Sequence, residues 1–432
     1  MGGGRLKVLV VGSGAREHAI AWRLSRSPRV GALYAAPGNG GTASLCTNLD
    51  GSAEDPEGLS CLAQENAVDV TIVGPEQPLA NGVVDLFESR GLKAFGPTRA
   101  AAQIEASKSF ARSLMAGNGV PSPDFEVFDD YGRAREFLSR HGGPVVVKAD
   151  GLAAGKGVTV CRSPAQALEA LSVCMVSRSF GPAGDRVVVE ECMEGREVSV
   201  FAFTDGTHLS PMVAACDYKR LGDGDDGPNT GGMGSYAPPD LWSEGLEERV
   251  RREIMEPVLR ALRESGATYK GVLYAGLMLT ETGPRVLEFN CRLGDPETQV
   301  ILPLMGTDLL EVVLACIDGG LGRLSIEWDS RACAGVVLAS GGYPGAYRKG
   351  LPIQGLEDVD EDVLVFHAGT KRTGPERDAP TVTDGGRVMT VVGVGPALVQ
   401  ARERAYDNVS RIRFDGAHYR RDIALPQGAP VA

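Results

Sequence analysis

Val145-Val146-Val147-Lys148-Ala149-Asp150-Gly151-Leu152-Ala153-Ala154-Gly155-Lys156-Gly157-Val158 reads as a strand, a glycine loop and the start of a second strand. It is not a Walker-type phosphate loop. The spacing is short, and glycine rather than serine or threonine follows Lys156. Glycine backbones can nonetheless approach a triphosphate closely and donate N–H groups to it. Gly155, Lys156 and Gly157 are therefore candidate ATP contacts. Lys148 ends the first strand, within reach of an α- or β-phosphate. An empty hairpin with a solvated lysine is the plain alternative.

Downstream, Glu190-Glu191-Cys192-Met193-Glu194-Gly195-Arg196-Glu197 follows another strand-like run. Such a hinge can present backbone groups to adenine, and a carboxylate a few residues on can accept both ribose hydroxyls. Glu197 is nominated for that role, against an ordinary acidic loop. Glu288-Phe289-Asn290-Cys291-Arg292 is the sharpest local signal. Positions two apart on a strand face one side, so Glu288 and Asn290 present two oxygen ligands together. A carboxylate plus a carboxamide suits Mg²⁺ (or Mn²⁺), with nucleotide phosphates and water completing the shell. Arg292 can clamp a transferring phosphoryl group; a structural Glu–Arg pair is the alternative. Asp217-Tyr218-Lys219-Arg220 leads into Gly222–Gly234, which holds six glycines and a proline. It reads as one long loop, suited to closing as a lid over an anionic substrate. A solvated charge cluster would look the same.

Upstream, Lys7–Val11, Val70–Val73 and Lys93–Phe95 are strand-like, and Glu17–Leu24 is helical. This rhythm predicts a parallel sheet with helices on both faces. Ligands sit beyond the carboxyl ends of such strands, where Gly12, Gly14, Gly38, Asn39, Gly74 and Glu76 gather as candidate substrate contacts. Gly12-Ser13-Gly14-Ala15-Arg16-Glu17 begins like a dinucleotide fingerprint, but Glu17 stands where the third glycine belongs, which disfavours NAD. A phosphate at the helix N-terminus remains the reading, with a plain tight turn as the alternative. Thr98–Gly117 reads as helix, and Gly119-Val120-Pro121-Ser122-Pro123 breaks it.

The 432 residues exceed one ordinary core. Nine cysteines without a C-x-x-C pair argue against zinc ribbons and disulfide frameworks. The net charge of −12 disfavours nucleic-acid binding but not a small anion, since local cations can outweigh it. No apolar run is long enough for a membrane span, and the opening MGGGRLKVLVVGSG is not a signal peptide. A cytoplasmic location is expected.

Ten segments in order resemble the ATP-grasp superfamily and, within it, the phosphoribosylamine–glycine ligase family. They are GSGAREHA near the start, APGNGGTA (36–43), VGPEQPLA (73–80), FGPTRAAAQIEASKSFA (95–111), VVVKADGLAAGKGV (145–158), GDGDDGPNTGGMGSYAP (222–238), YAGLM (274–278), LEFNCRLGDPETQ (287–299), FHAGT (366–370) and GGRV (385–388). The resemblance covers nearly the whole chain. It implies α/β and α+β domains: an N-terminal Rossmann-like parallel sheet at 1–107, a two-part ATP-grasp fold at 108–322 with a mobile lid near 122–194, and a small β-rich domain at 323–432. It also implies a ligase that joins glycine to 5-phosphoribosylamine with ATP, acts on small molecules alone, and is a monomer or weak dimer. Lys108, Lys148, Glu190, Glu197 and Met278 match nucleotide contacts, and Glu288 and Asn290 match the metal pair. Asp217, Lys219 and Arg292 fall on the substrate side, and Asp295 is the candidate acceptor for the amine's proton. Two positions depart from the pattern. YAGLM lacks the further acidic metal ligand common in the superfamily, and Tyr218 replaces a frequent histidine, so no general base is expected there. Alternatives are a ligase for another amine, a nucleotide-binding regulator without catalysis, and a Rossmann oxidoreductase.

Overall fold

The computed structural model describes residues 4–153, 156–374, 376 and 379–425. The N-terminal strands form a parallel sheet in the order 47–48, 30–37, 6–12, 70–73, 94–95. Val8–Val11 and Val70–Val73 are buried throughout, as a parallel sheet covered on both faces requires. The loops after the strands meet at one edge: Gly38 N donates to Gly12 O, and Gly74 N to Val11 O.

Thr98–Gly117 is two helices rather than one, Arg99–Ala106 and Lys108–Gly117. Ser107 is extended between them, and its hydroxyl accepts from Phe110 N at 3.2 Å. A serine that caps the second helix ends the first, because an N-cap residue leaves helical φ/ψ. Residues 125–191 then build a smaller layer. Its antiparallel strands run in the order 125–128, 187–191, 145–149, 158–161. Ala134, Leu138, Ala167 and Leu171 of helices Tyr131–Arg140 and Pro164–Met175 share a core with Val145, Val147, Val187 and Val189.

The largest sheet has eight strands, in the order 283–290, 271–280, 196–204, 213–217, 234–237, 332–339, 387–395, 364–367. Ala332–Ala339 pairs antiparallel with Gly234–Ala237, so the C-terminal strands continue the central sheet instead of starting one of their own. Helix Leu398–Val409 lies on that extension through Ala401 and Ala405. Gly222–Gly234 is not one open loop. Arg220–Gly222 pairs with Asp226–Asn229 around a short turn at 223–225, and Gly234 opens the next strand. No helix among the described residues is long and apolar enough to cross a membrane.

Candidate active site

Strands Gly271–Thr280 and Gly283–Asn290 pair with a slip: Gly276 faces Glu288, but Leu277 faces Val286. Leu287 is the extra residue of a β-bulge. Its carbonyl leaves the ladder and accepts from Arg112 Nη2 at 2.7 Å and Lys148 Nζ at 3.1 Å. The slip lets Val286 and Phe289, three residues apart, enter the same core. Glu288 is left open to the cleft, and Asn290 follows it two residues on. Partial desolvation opposes ionisation of Glu288, but Lys219, Lys148, Lys108 and Arg292 around it outweigh that and hold its carboxyl below the usual range. Four cations from four separate segments thus converge on one carboxylate in a chain of net charge −12.

Lys148 is buried, and burial pulls its pKa down against the opposing charge of Glu190, 2.8 Å away. Glu190 was expected at the nucleotide. Its carboxylate points inward, held by Arg112 at 2.7 Å through each oxygen. The three side chains form a buried triad that ties helix Lys108–Gly117 to the small layer and to the bulge. Lys108 Nζ donates to Gly151 O at 2.8 Å, placing its ammonium at the start of the glycine loop. Asp150 fastens the same loop: its carboxylate accepts from Ser107 Oγ, Ser109 N and Ser109 Oγ. Arg112 and Asp150 escaped the sequence reading, although Ser107 before Lys108 is an N-cap signal that points to the second. Lys156 is exposed, Gly157 is buried, and Gly155 lies outside the described residues. Glu197 faces Met278 across the ladder, and its carboxylate pairs with Lys219 Nζ.

At the N-terminal edge, Glu17 folds back into the turn it follows. Its carboxylate accepts from Gly14 N at 2.6 Å and from Arg16 Nε. A Cβ on Gly12, Gly14 or Gly74 would strike this side chain, so these glycines make room for Glu17. The Gly14 amide expected for a phosphate is occupied by the protein's own carboxylate. Asn39 is spent likewise. Its amide donates to Ser13 O and His367 O, and its oxygen accepts from Gly41 N and Thr42 N. It therefore anchors the loop and has no polar group left for a ligand. Gly38, at φ 71°, takes the turn that this packing needs.

Arg292 bridges the domains. Its guanidinium donates to Glu76 at 3.1 Å and to Glu105 at 3.0 Å, and Arg16 lies 4.0 Å from Glu76. Burial opposes ionisation of Glu76, but the two arginines prevail and hold it at about 2. Arg292 is thus held by two carboxylates, and its Nη1 donates to Leu293 O at 3.3 Å. Asp217 and Lys219 stand two apart, beside Glu197 and Glu288. Burial pushes Asp217 above its ordinary range against the pull of Lys219. Tyr218, between them, faces the C-terminal segment instead: Ala424 N donates to its hydroxyl at 3.0 Å. Asp295, the expected proton acceptor, is taken by Arg387 at 3.1 Å and Gln299 at 2.7 Å.

No cluster of three or more His, Cys, Asp or Glu side chains able to cage a metal is present among the described residues. Glu288 is exposed among the four cations and Asn290, two residues on, is buried, a carboxylate and a carboxamide on one strand. That is the donor set of an ion that shares its shell with phosphates.

A glycine loop on a small antiparallel layer, facing a bulged strand across a cationic cleft, defines an ATP-grasp protein. The biotin carboxylase domain of the 2-oxoglutarate carboxylase from Hydrogenobacter thermophilus has the same fold (TM-score 0.72, 16% identity, 97% of this chain and 92% of that one). The chain belongs to the phosphoribosylglycinamide synthetase family: the family's N domain matches residues 6–105, its ATP-grasp (A) domain 106–298 and its C domain 333–426. It is 51% identical to the phosphoribosylamine–glycine ligase of Caldanaerobacter subterraneus (97% of this chain, 99% of the relative) and 49% identical to that of a Nostoc species (97% and 99%). The crystal structure of phosphoribosylamine–glycine ligase from Thermotoga maritima superposes with a TM-score of 0.84 at 33% identity, covering 96% of this chain and 100% of that one.

Proposed function

We propose that this chain forms glycinamide ribonucleotide from glycine, 5-phosphoribosylamine and ATP, the second step of purine biosynthesis. The supporting observation is the convergence of Lys108, Lys148, Lys219 and Arg292 on Glu288 in an acidic chain of this family. The reaction needs no protein nucleophile. Glycine's carboxylate is ionised at neutral pH, and its oxygen attacks the γ-phosphorus while ADP leaves. The amine of phosphoribosylamine then attacks the acyl carbon of glycyl phosphate, phosphate leaves, and the amine sheds a proton.

Lys148 and Lys108 neutralise the triphosphate, and Lys156 and Gly157 lie beside it. Glu197 and Met278 mark the ribose and base end. Arg292, fixed by Glu76 and Glu105, turns its remaining donors to the transferring phosphoryl group; alignment and charge neutralisation carry phosphoryl transfer. Glu288 and Asn290 would hold Mg²⁺ or Mn²⁺, which neutralises phosphate charge when bound. Asp217, whose raised pKa suits a base near neutrality, replaces the ion-paired Asp295 as acceptor of the amine's proton. Gly74, Glu76 and the neighbouring loops face phosphoribosylamine.

The test is phosphate release from Mg-ATP with glycine and freshly made phosphoribosylamine omitted in turn. Release that needs both, with glycinamide ribonucleotide seen by mass spectrometry, is expected. Release with a different carboxylate–amine pair alone would overturn the substrate assignment.

A further inference from the structure

Arg420 is the largest fully buried side chain among the described residues, at 1% exposure, and it carries a charge. Burying a guanidinium is costly unless each face is satisfied, and here each is. Nε and Nη2 donate to the two oxygens of Asp422 at 2.7 and 2.6 Å. Nη1 donates to Asp225 Oδ1 at 2.8 Å and Arg220 O at 3.1 Å. The guanidinium carbon lies 4.7 Å from the centre of the Tyr218 ring, a favourable cation–π contact. The neighbours of Arg420 grip the same segment. Asp422 accepts from Gly224 N at 2.8 Å, Arg421 N donates to Asp223 at 2.7 Å, and His418 meets Leu221 O at 3.0 Å. Gly224 and Asp225 are both left-handed, at φ 67° and 57°. Aspartate seldom adopts that conformation without support.

The chain at 217–219 alternates sides. Tyr218 lies on Arg420, so Asp217 and Lys219 turn the other way, toward Glu197 and Glu288. The backbone of the segment is pinned from the cleft side as well, since Thr230 N donates to Lys219 O at 2.7 Å.

We propose that Arg420 is a positioning residue. It locks Tyr218–Asp225 from behind, so that Asp217 and Lys219 stay aimed at the carboxylate and amine substrates. The segment 218–225 is then held by the C-terminal strap and is not free to move as a lid. The role rests on the reaction proposed above, but the lock itself is testable apart from it.

The experiment compares R420M, R420K, D225N and Y218F in the full-length enzyme. Three quantities are read: phosphate release against glycine, ATP affinity by calorimetry, and hydrogen–deuterium exchange at 218–230. R420M is expected to lower kcat/KM for glycine by between about tenfold and a hundredfold, to leave ATP affinity within about twofold, and to speed exchange at 218–230. R420K keeps the charge over Tyr218 but not the fork, so it should restore part of the loss. If R420M does not fold, D225N decides, because the Asp225 side chain is 70% exposed and only the lock depends on it. Folded R420M or D225N with wild-type glycine kinetics and wild-type exchange would overturn the proposal. If wild-type enzyme releases no phosphate with glycine and phosphoribosylamine, the reaction assignment fails, and exchange alone still judges the lock.

Discussion

Glu288 touches no protein partner strongly enough to need it for folding, yet four cations surround it. E288A is expected to abolish turnover while the thermal melt stays within a few degrees of wild type; appreciable turnover at ordinary Mg²⁺ would sink the metal assignment. Glu76 makes a different prediction. Its carboxyl is held at about 2, against an ordinary value of 4.5. The ionised form therefore stabilises the fold fully above the ordinary value, and that contribution is lost as pH falls from about 4.5 toward 2. It amounts to at most about 3 kcal/mol, and less in practice because the side chain is 28% exposed. The stability gap between wild type and E76Q, measured by urea unfolding, should shrink between pH 5 and pH 3; a constant gap would refute the pairing. Glu288, Asn290 and Lys148 could be nominated from sequence because each lies on a strand whose pattern is local, the first two on one strand. The pairing of Glu190 was not legible because the arginine that holds its carboxylate lies 78 residues away in the chain. Glu17 was read correctly as a broken fingerprint, but its refilling of the turn shows only in three dimensions.

At the scale of elements, the triad Arg112–Glu190–Lys148 joins a helix, the small layer and the bulged strand. Removing one member of a buried pair leaves a charge unpaired. R112A is therefore expected to cost about 3–5 kcal/mol in urea unfolding, whereas R112M/E190L should cost less than R112A. Equal losses would show that packing, not charge, sets the effect. The short cap at Ser107 makes a milder case. D150N weakens what fastens the glycine loop to the helix start, and a weaker ATP affinity by calorimetry, with little change in KM for glycine, is expected. Strand and helix periods were readable wherever burial is regular, as at Val70–Val73. The division at Ser107 was hidden because apolar residues on both sides keep a helical spacing. The hairpin inside Gly222–Gly234 was hidden because its glycines suggest freedom, while its turn at Asp223 and Gly224 is held by the C-terminal segment, far along the chain.

At the scale of the molecule, the sheet joining residues 196–290 to 332–395 ties the central and C-terminal parts of the chain into one body. Ala332–Ala339 is buried along its whole length, between neighbours from both sides of the expected domain boundary. A fragment of residues 324–432 would expose that strand as a new edge. Expressed alone, it should lack a cooperative melt by near-ultraviolet circular dichroism, and a sharp transition would show that it is autonomous. The boundary was placed from the resemblance and from the start of a β-rich segment, and neither reveals which strands will pair. The family motifs, by contrast, recur in order along the chain, so the overall class was open to reading before any contact was known.

The bulge at Leu287 has a genetic consequence. Its contribution is a backbone carbonyl and one extra residue of length, and neither depends on the leucine side chain. Substitution libraries should find position 287 permissive, while deletion of codon 287 should be lethal under purine-free growth, because the evened ladder keeps Val286 opposite Leu277 and Glu288 opposite Gly276 but removes the carbonyl that Arg112 and Lys148 share. Deletion scanning would find a requirement at this strand that point-mutation maps pass over.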